Sequence, residues 1–304
     1  MINKQEKLTK VKLKGNESFN IREGWLRKGM RCVQDCPTLF SRDDAMEILG
    51  VGSKMVKSIR YWLRVTGLTE EHAHVGRARE QVLTEQFGEV IEKYDRYFDD
   101  VFTLFLLHYN IVKDTNGLSI AWNIFFNNYD GQDFTKDNMI EKCKEELNKR
   151  LAEGVTFSES LFADDCSSIL RMYNTTDVAE DPEESLTCPM VELGLIRKSS
   201  NKKGTYVKTP PSKELLDKMV VLYVILDNIE AGKESVSIDS LINDANNIGK
   251  VFNLDRVLIN EYLDQLRVSG YITLNRTAGL DMVYVNTDRT PHDIMREYYE
   301  KRMR

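Results

Sequence analysis

The residues of this chain best suited to chemistry are four cations that share one side of a short stretch. In Ser53–Leu68, SKMVKSIRYWLRVTGL, helical spacing at about 100° per residue gathers Lys54, Lys57, Arg60 and Arg64 on one arc, with Tyr61 among them. Met55, Val56, Ile59, Trp62 and Leu63 fall on a separate, apolar arc. No acid interrupts the stretch. Cations and a phenol at this spacing suit the phosphates and base edges of nucleic acid. A solvated basic face on a core helix is the plainer alternative.

An element is needed to present such a face. Upstream, Ser41 reads as an N-cap with Asp43 and Asp44 in the first turn of a short helix ending near Leu49. Gly50-Val51-Gly52 follows as a tight turn, and Ser53 reads as the cap of a second helix running to about Thr66. Two helices joined by three residues predict a helix-turn-helix, whose second helix enters a major groove.

The charge distribution agrees. The 304 residues carry a net charge of −6, yet residues 1–79 hold 16 Lys and Arg against 9 Asp and Glu. A basic head on an acidic body confines phosphate contact to the N-terminal quarter and leaves the body for protein partners. Hydrophobic content of 41% and charged content of 30% fit a globular chain of two or three cores. No apolar run is long enough for a bilayer, and the lysine-rich start lacks a signal-peptide core, so no membrane is expected and cytoplasm is the default. Five scattered cysteines complete no zinc set and read as reduced, mostly buried thiols.

Along the remainder, Lys4, Lys7, Lys10, Lys12 and Lys14 mark a flexible basic arm. Residues 80–112 read as one long helix in which Asp95 and Asp99 stand one turn apart, and His108 as a hydrogen-bonded core residue. An aromatic helix around Trp122, an amphipathic helix to Leu151 and a short helix over Ser158–Tyr173 follow. Asn174–Pro189 is an acidic linker, and Lys202-Lys203-Gly204 a hairpin tip. From Ser212 the pattern predicts a winged helix with a β-hairpin around Ala278-Gly279; its second helix has a net charge of −1, so it reads as a scaffold or dimerisation unit. The fold class is therefore mainly α: a basic arm and helix-turn-helix over 1–76, a helical middle over 77–173, a linker and hairpin over 174–211, and a winged-helix-like module with a small β-hairpin over 212–304.

Gly15-x-Glu17-x-Phe19-x-x-Arg22-x-Gly24-Trp25-Leu26-x-Lys28 resembles the opening signature of a bacterial family that includes the SspB proteins, with Asn16 where that family usually has histidine. Leu49-Gly50-Val51-Gly52, Met55-Val56-x-Ser58-Ile59-x-x-Trp62-Leu63, Leu107-His108-Tyr109 and Cys188-Pro189-x-x-Glu192-Leu193-Gly194-Leu195-Ile196 extend the resemblance to about Ile196. The resemblance implies a component of single-strand DNA phosphorothioation in antiviral defence, nicking DNA with a divalent metal. Its partners would be a cysteine desulfurase and an ATP-using sulfur-transfer enzyme.

Cutting a phosphodiester requires an activated water and positive charge at the phosphate, and magnesium takes carboxylate oxygens. No Walker A or His-Glu-x-x-His motif is present. Glu17 and Glu23 lie in the basic segment and are the candidate metal ligands, with Arg22 and Lys28 to hold the phosphate; Asp95 with Asp99, or Asp165, come next. The competing explanation is structural, with Glu17 accepting backbone hydrogen bonds and pairing with Arg22. A magnesium-dependent DNA nickase and a non-catalytic DNA-binding adaptor or regulator both remain open, as does a homodimer.

Overall fold

The structure, a computed structural model, describes residues 7–73, 79–115, 117–131, 133–174, 188–230, 232–277 and 280–303. In chain order the N-terminal part comprises α1 (Trp25–Asp35), α2 (Ala45–Leu49), α3 (Ser53–Val65) and the hairpin β1 (Thr69–Ala73) and β2 (Arg79–Leu83). The middle comprises α4 (Gly88–Tyr94), α5 (Val101–Lys113), α6 (Ile120–Asn128), β3 (Asp133–Thr135), α7 (Lys136–Arg150), α8 (Glu159–Tyr173), β4 (Ile196–Lys198) and β5 (Thr205–Lys208). Then come α9 (Lys218–Asn228), β6 (Ser235–Ser237), α10 (Ile238–Asn243), α11 (Ile248–Val251), α12 (Arg256–Val268), β7 (Ile272–Thr277), β8 (Leu280–Val285) and α13 (Pro291–Arg302). The fold is mainly α, with small antiparallel sheets ordered β1-β2, β3-β5-β4 and β6-β8-β7 among the described residues.

The core is centred on α5. Its sequence VFTLFLLHYNIVK is apolar on every side, and a helix of that kind is stable only when covered all round. α6 and α8 cover it from the middle of the chain, α9 and α13 from the C-terminal part. Polar ties fix the packing. His108 is fully buried between the Tyr173 hydroxyl at 2.7 Å and the Val251 carbonyl at 2.9 Å. A carbonyl only accepts, so Nε2 carries the proton and Nδ1 accepts from Tyr173. Burial pushes the imidazole down to about 4, so it is neutral at pH 7. This is the hydrogen-bonded core residue the sequence predicts.

The single helix expected over 80–112 is instead β2, α4 and α5, and acids cause the breaks. Asp95 accepts the Asp99 and Asp100 main-chain N–H groups at 3.0 and 3.3 Å as well as the Thr103 hydroxyl. Asp100 caps α5 through the Phe102 N–H at 3.0 Å. Carboxylates satisfying orphan amides at a helix start act as caps. Asp100 also receives the Tyr298 hydroxyl at 3.1 Å, while the Tyr298 ring stacks on Phe102 at 3.7 Å, which docks α13. Helix α13 opens on a capping box formed by Thr290 and Asp293, with Pro291 in its first turn.

Ser41 does not cap α2; Asp44 precedes that helix, and the Ser41 hydroxyl instead bonds the Arg79 main chain at 3.2 Å. Ser53 is likewise inside α3, whose N-cap is Gly52 without a side-chain bond. In β1-β2, Ala73 pairs with Arg79, so the strands flank the boundary placed at residue 76. The arm is docked over the part described: Leu8 bonds Arg150 and Ala152 main-chain atoms at 2.8 and 2.9 Å. Residues 1–6, Gly76, most of the acidic linker (175–187) and the tip Ala278-Gly279 lie outside the described residues. All five cysteines are free thiols. Among the described residues no helix is long and apolar enough to cross a membrane.

One packing contact offers a stability test. A Cβ on Gly88, at the start of α4, would stand 2.1 Å from the Leu68 carbonyl oxygen, and main chain cannot swing aside. Gly88→Ala is expected to lose about 2–3 kcal/mol in chemical denaturation, as overpacked cores do. An unchanged midpoint would mean that α4 is not held against Leu68.

Candidate nucleic-acid interface

Helices α2 and α3 meet through Gly50, which is left-handed at φ 58°, and Gly52. α1 crosses α3 closely, since a Cβ on Gly29 would be 2.8 Å from Leu63. These contacts hide Val56, Ile59, Trp62 and Leu63 and turn Lys54 and Lys57 to solvent. Lys28 reaches across from α1, its Nζ 3.4 Å from where a Gly50 Cβ would stand, so it borders the turn.

The arc of cations is real but its members differ. Arg60 is clamped on Glu71 of β1, with Nε at 2.7 Å and Nη2 at 2.6 Å from Oε1. Arg64 at 3.4 Å and Arg79 of β2 at 3.5 Å face the same carboxylate, whose side chain is 8% exposed. Three guanidinium groups thus face one acid, which holds Arg60 closely and Arg64 and the mostly exposed Arg79 at longer range. Lys57 is 3.6 Å from Glu17 and mostly exposed, so that pair is weak. Lys54 makes no ion pair among the described residues.

Tyr61 does not belong to this face. Its ring is buried against Gly15 and edge-on to Trp62 at 4.9 Å, and its hydroxyl donates to the Leu118 carbonyl at 3.0 Å. Burial holds the phenol well above its usual range. The helical wheel placed it beside the arginines; the signature loop and the turn after α5 cover that flank.

The signature loop carries Lys14, Glu17 and Ser18 at φ 57°, 49° and 68°, a left-handed region that side chains disfavour. Bonds on two sides hold it there. Toward α8, Asn16 is buried and donates to the Ser168 hydroxyl at 3.2 Å, Lys14 N–H donates to Asp165 at 3.0 Å, and Lys14 Nζ meets Asp164 at 2.8 Å. Both neighbouring acids, Asp164 and Asp165, thus serve one residue, Lys14. Toward α3, Trp62 Nε1 and the Ser58 hydroxyl donate to the Phe19 carbonyl at 2.9 and 3.3 Å.

The expected pair of Glu17 with Arg22 is not formed. Arg22 lies over the Phe19 and Trp25 rings at 5.6 and 5.3 Å, a cation–π arrangement, and Glu17 faces Lys57. Glu23 is exposed. Among the described residues no three His, Cys, Asp or Glu side chains converge as a metal-ligand group.

A family model described as a protein of unknown function, DUF4007, matches residues 13–299. The chain belongs to the DUF4007 family. Two solved structures are similar to this DUF4007 chain. One, a magnesium ion-bound SspB crystal structure, has a TM-score of 0.84 at 26% identity and covers 96% of this chain and 89% of its own. The other, an SspB crystal structure, has a TM-score of 0.83 at 26% identity and covers 97% and 89%. No curated protein matches. The SspB resemblance read from the opening signature therefore extends over nearly the whole DUF4007 chain, well beyond Ile196.

Asp165, beneath the signature loop, supplies a pH test. Burial pushes its carboxyl from 3.8 up to about 6, against the opposing pull of the Lys14 N–H. Between those values the folded protein holds a proton that the unfolded chain has released, so this group's contribution falls as pH rises through the window. Asp165→Asn lacks that loss. Its stability relative to the parent is expected to improve by on the order of 2 kcal/mol between pH 4.5 and 7.5, read by denaturation at each pH. A difference independent of pH would contradict the buried, protonatable carboxyl.

Proposed function

We propose that this DUF4007 protein is the DNA-nicking component of a bacterial phosphorothioation system, acting in the cytoplasm beside a cysteine desulfurase and an ATP-using sulfur-transfer enzyme. The observation that carries the reading is the similarity, over 96% of the chain, to a magnesium ion-bound SspB structure. The N-terminal element order α1-α2-α3-β1-β2 supports a winged helix-turn-helix unit that extends past residue 76 to Leu83. In it, α3 enters the groove, Lys54 and Lys57 contact phosphate, and Arg60 and Arg64 act from the platform organised by Glu71. The order α9-β6-α10-α11-α12-β7-β8 supports a second winged helix, proposed as the scaffold or dimerisation unit.

Magnesium takes one or two carboxylates and completes its octahedron with water. Glu17 and Glu23 are the carboxylates proposed for it, with Lys28 beside the turn to hold phosphate. Arg22 is stacked on two rings, which favours a positioning part for it over direct contact. A second reading, a non-catalytic DNA-binding adaptor, is favoured by the exposed Lys54 and Lys57, which suit phosphate contact without any chemistry.

Replacing Lys54 and Lys57 by Ala is expected to weaken DNA binding and reduce its salt slope by about two phosphate contacts, with an unchanged melting temperature because both are exposed. Parent affinity in the double variant would remove the groove assignment.

Nicking of supercoiled plasmid by highly purified protein, with and without EDTA, separates the two functional readings. Glu17→Gln keeps the side chain's shape and hydrogen-bonding capacity and is expected to lose nicking while DNA affinity holds or tightens. Parent-level nicking by the folded variant would exclude this carboxylate, and no nicking by the parent protein under any divalent metal would favour the adaptor.

A further inference from the structure

The docked arm closes a cavity on the side of the molecule reached through the turn after α5. Residues 8–12, the end of α5, the start of α6 and Arg150 at the end of α7 line a half-open space of about 220 Å³. Lys10, Lys12, Lys113 and Arg150 line it, with Asp114 as the single acid among the described lining residues and Asn246 beside them.

The state of each charge decides what the cavity accepts. Lys113 is matched by Asp227 at 2.5 Å. Asp114 is partly spent inside the fold, one oxygen accepting the Leu118 and Ser119 N–H groups at 2.7 and 2.8 Å. Arg150 donates to the amide oxygens of Asn123 at 2.7 Å and Asn128 at 2.5 Å and meets no carboxylate in an ion pair among the described residues. Lys10 and Lys12 are exposed and make no ion pair there either. The negative ends of α5 and α7 subtract from this charge without cancelling it. A half-buried guanidinium fixed by neutral oxygens, beside two unpaired ammonium groups, matches the oxyanion geometry of phosphate.

We propose that this cavity is a phosphate-binding site, separate from the face of α3. The phosphate belongs either to a nucleic-acid backbone or to a small phosphorylated molecule. The volume admits one phosphate and part of what carries it. The cavity is linked to the N-terminal module through Leu118, which follows the lining residue Gly117 and whose own carbonyl accepts the Tyr61 hydroxyl of α3.

The test uses the full chain at fixed ionic strength, titrated with pyrophosphate, a mononucleotide and a short DNA duplex. Two variants are compared: Lys10→Gln with Lys12→Gln, and Arg150→Lys, which keeps the charge and removes the fork. Each is expected to bind at least one probe about tenfold more weakly than the parent, with the lysine pair melting as the parent does. Loss for pyrophosphate and the nucleotide identifies a small phosphorylated ligand; loss for DNA alone identifies a backbone phosphate. Should Arg150→Lys fail to fold, the lysine pair decides with the same three probes. No binding of any probe by the parent, or parent affinity for every probe in the folded variants, overturns the site. The Lys54→Ala, Lys57→Ala protein is expected to bind pyrophosphate normally, so failure of the groove assignment and failure of this site read differently.

Discussion

The placement of the other elements depends on the need to cover α5 completely. Ten of its thirteen residues are buried, and apolar contact alone would allow its neighbours to slide along it. The polar groups it carries remove that freedom. His108 can hide its two ring nitrogens only by meeting α8 and α11 at once, and Tyr109 joins Lys113 on Asp227 of α9. Leaving either tie unmade would strand a buried donor or acceptor at a cost of about 1–3 kcal/mol. Directional bonds inside an apolar sheath thus set the register between the middle of the chain and its C-terminal part.

At the N-terminal surface the organising group is Glu71. One carboxylate cannot neutralise Arg60, Arg64 and Arg79, but it can keep three long side chains from collapsing in separate directions. Ordered cations lose less rotamer entropy when a polyanion arrives than free ones do. The acid in the hairpin therefore prepares the basic face even as it reduces its charge.

Much of this was legible in the sequence where one physical cause acts alone. The α2-turn-α3 unit followed from Gly50 and Gly52, the buried side of α3 from its period, and the core role of His108 from its apolar setting. Tyr61 was misplaced because angle on a wheel says nothing of what covers each flank. The helix over 80–112 was overextended because Asp95 and Asp100 look like surface charge until the amides they cap are seen. The β1-β2 ribbon escaped notice because Thr69-Glu70-Glu71-His72-Ala73 is largely exposed and lacks strand-like alternation. For the candidate site, its basic residues could be read directly. The clamp on Glu71 and the stacking of Arg22 are long-range or ring-geometry effects that spacing does not encode.

The left-handed loop at Lys14–Ser18 has a mechanical consequence. It works as a rivet whose two heads are α3 and α8, since the Phe19 carbonyl holds one helix and Asn16 with Lys14 the other. Neither helix can move outward without breaking bonds in a segment that is already conformationally costly, on the order of 1–3 kcal/mol for each such residue. Residue types in the loop are therefore constrained by what the rivet can bear. Asn16 meets that demand through Ser168 and the Ser18 N–H, with its side chain facing inward.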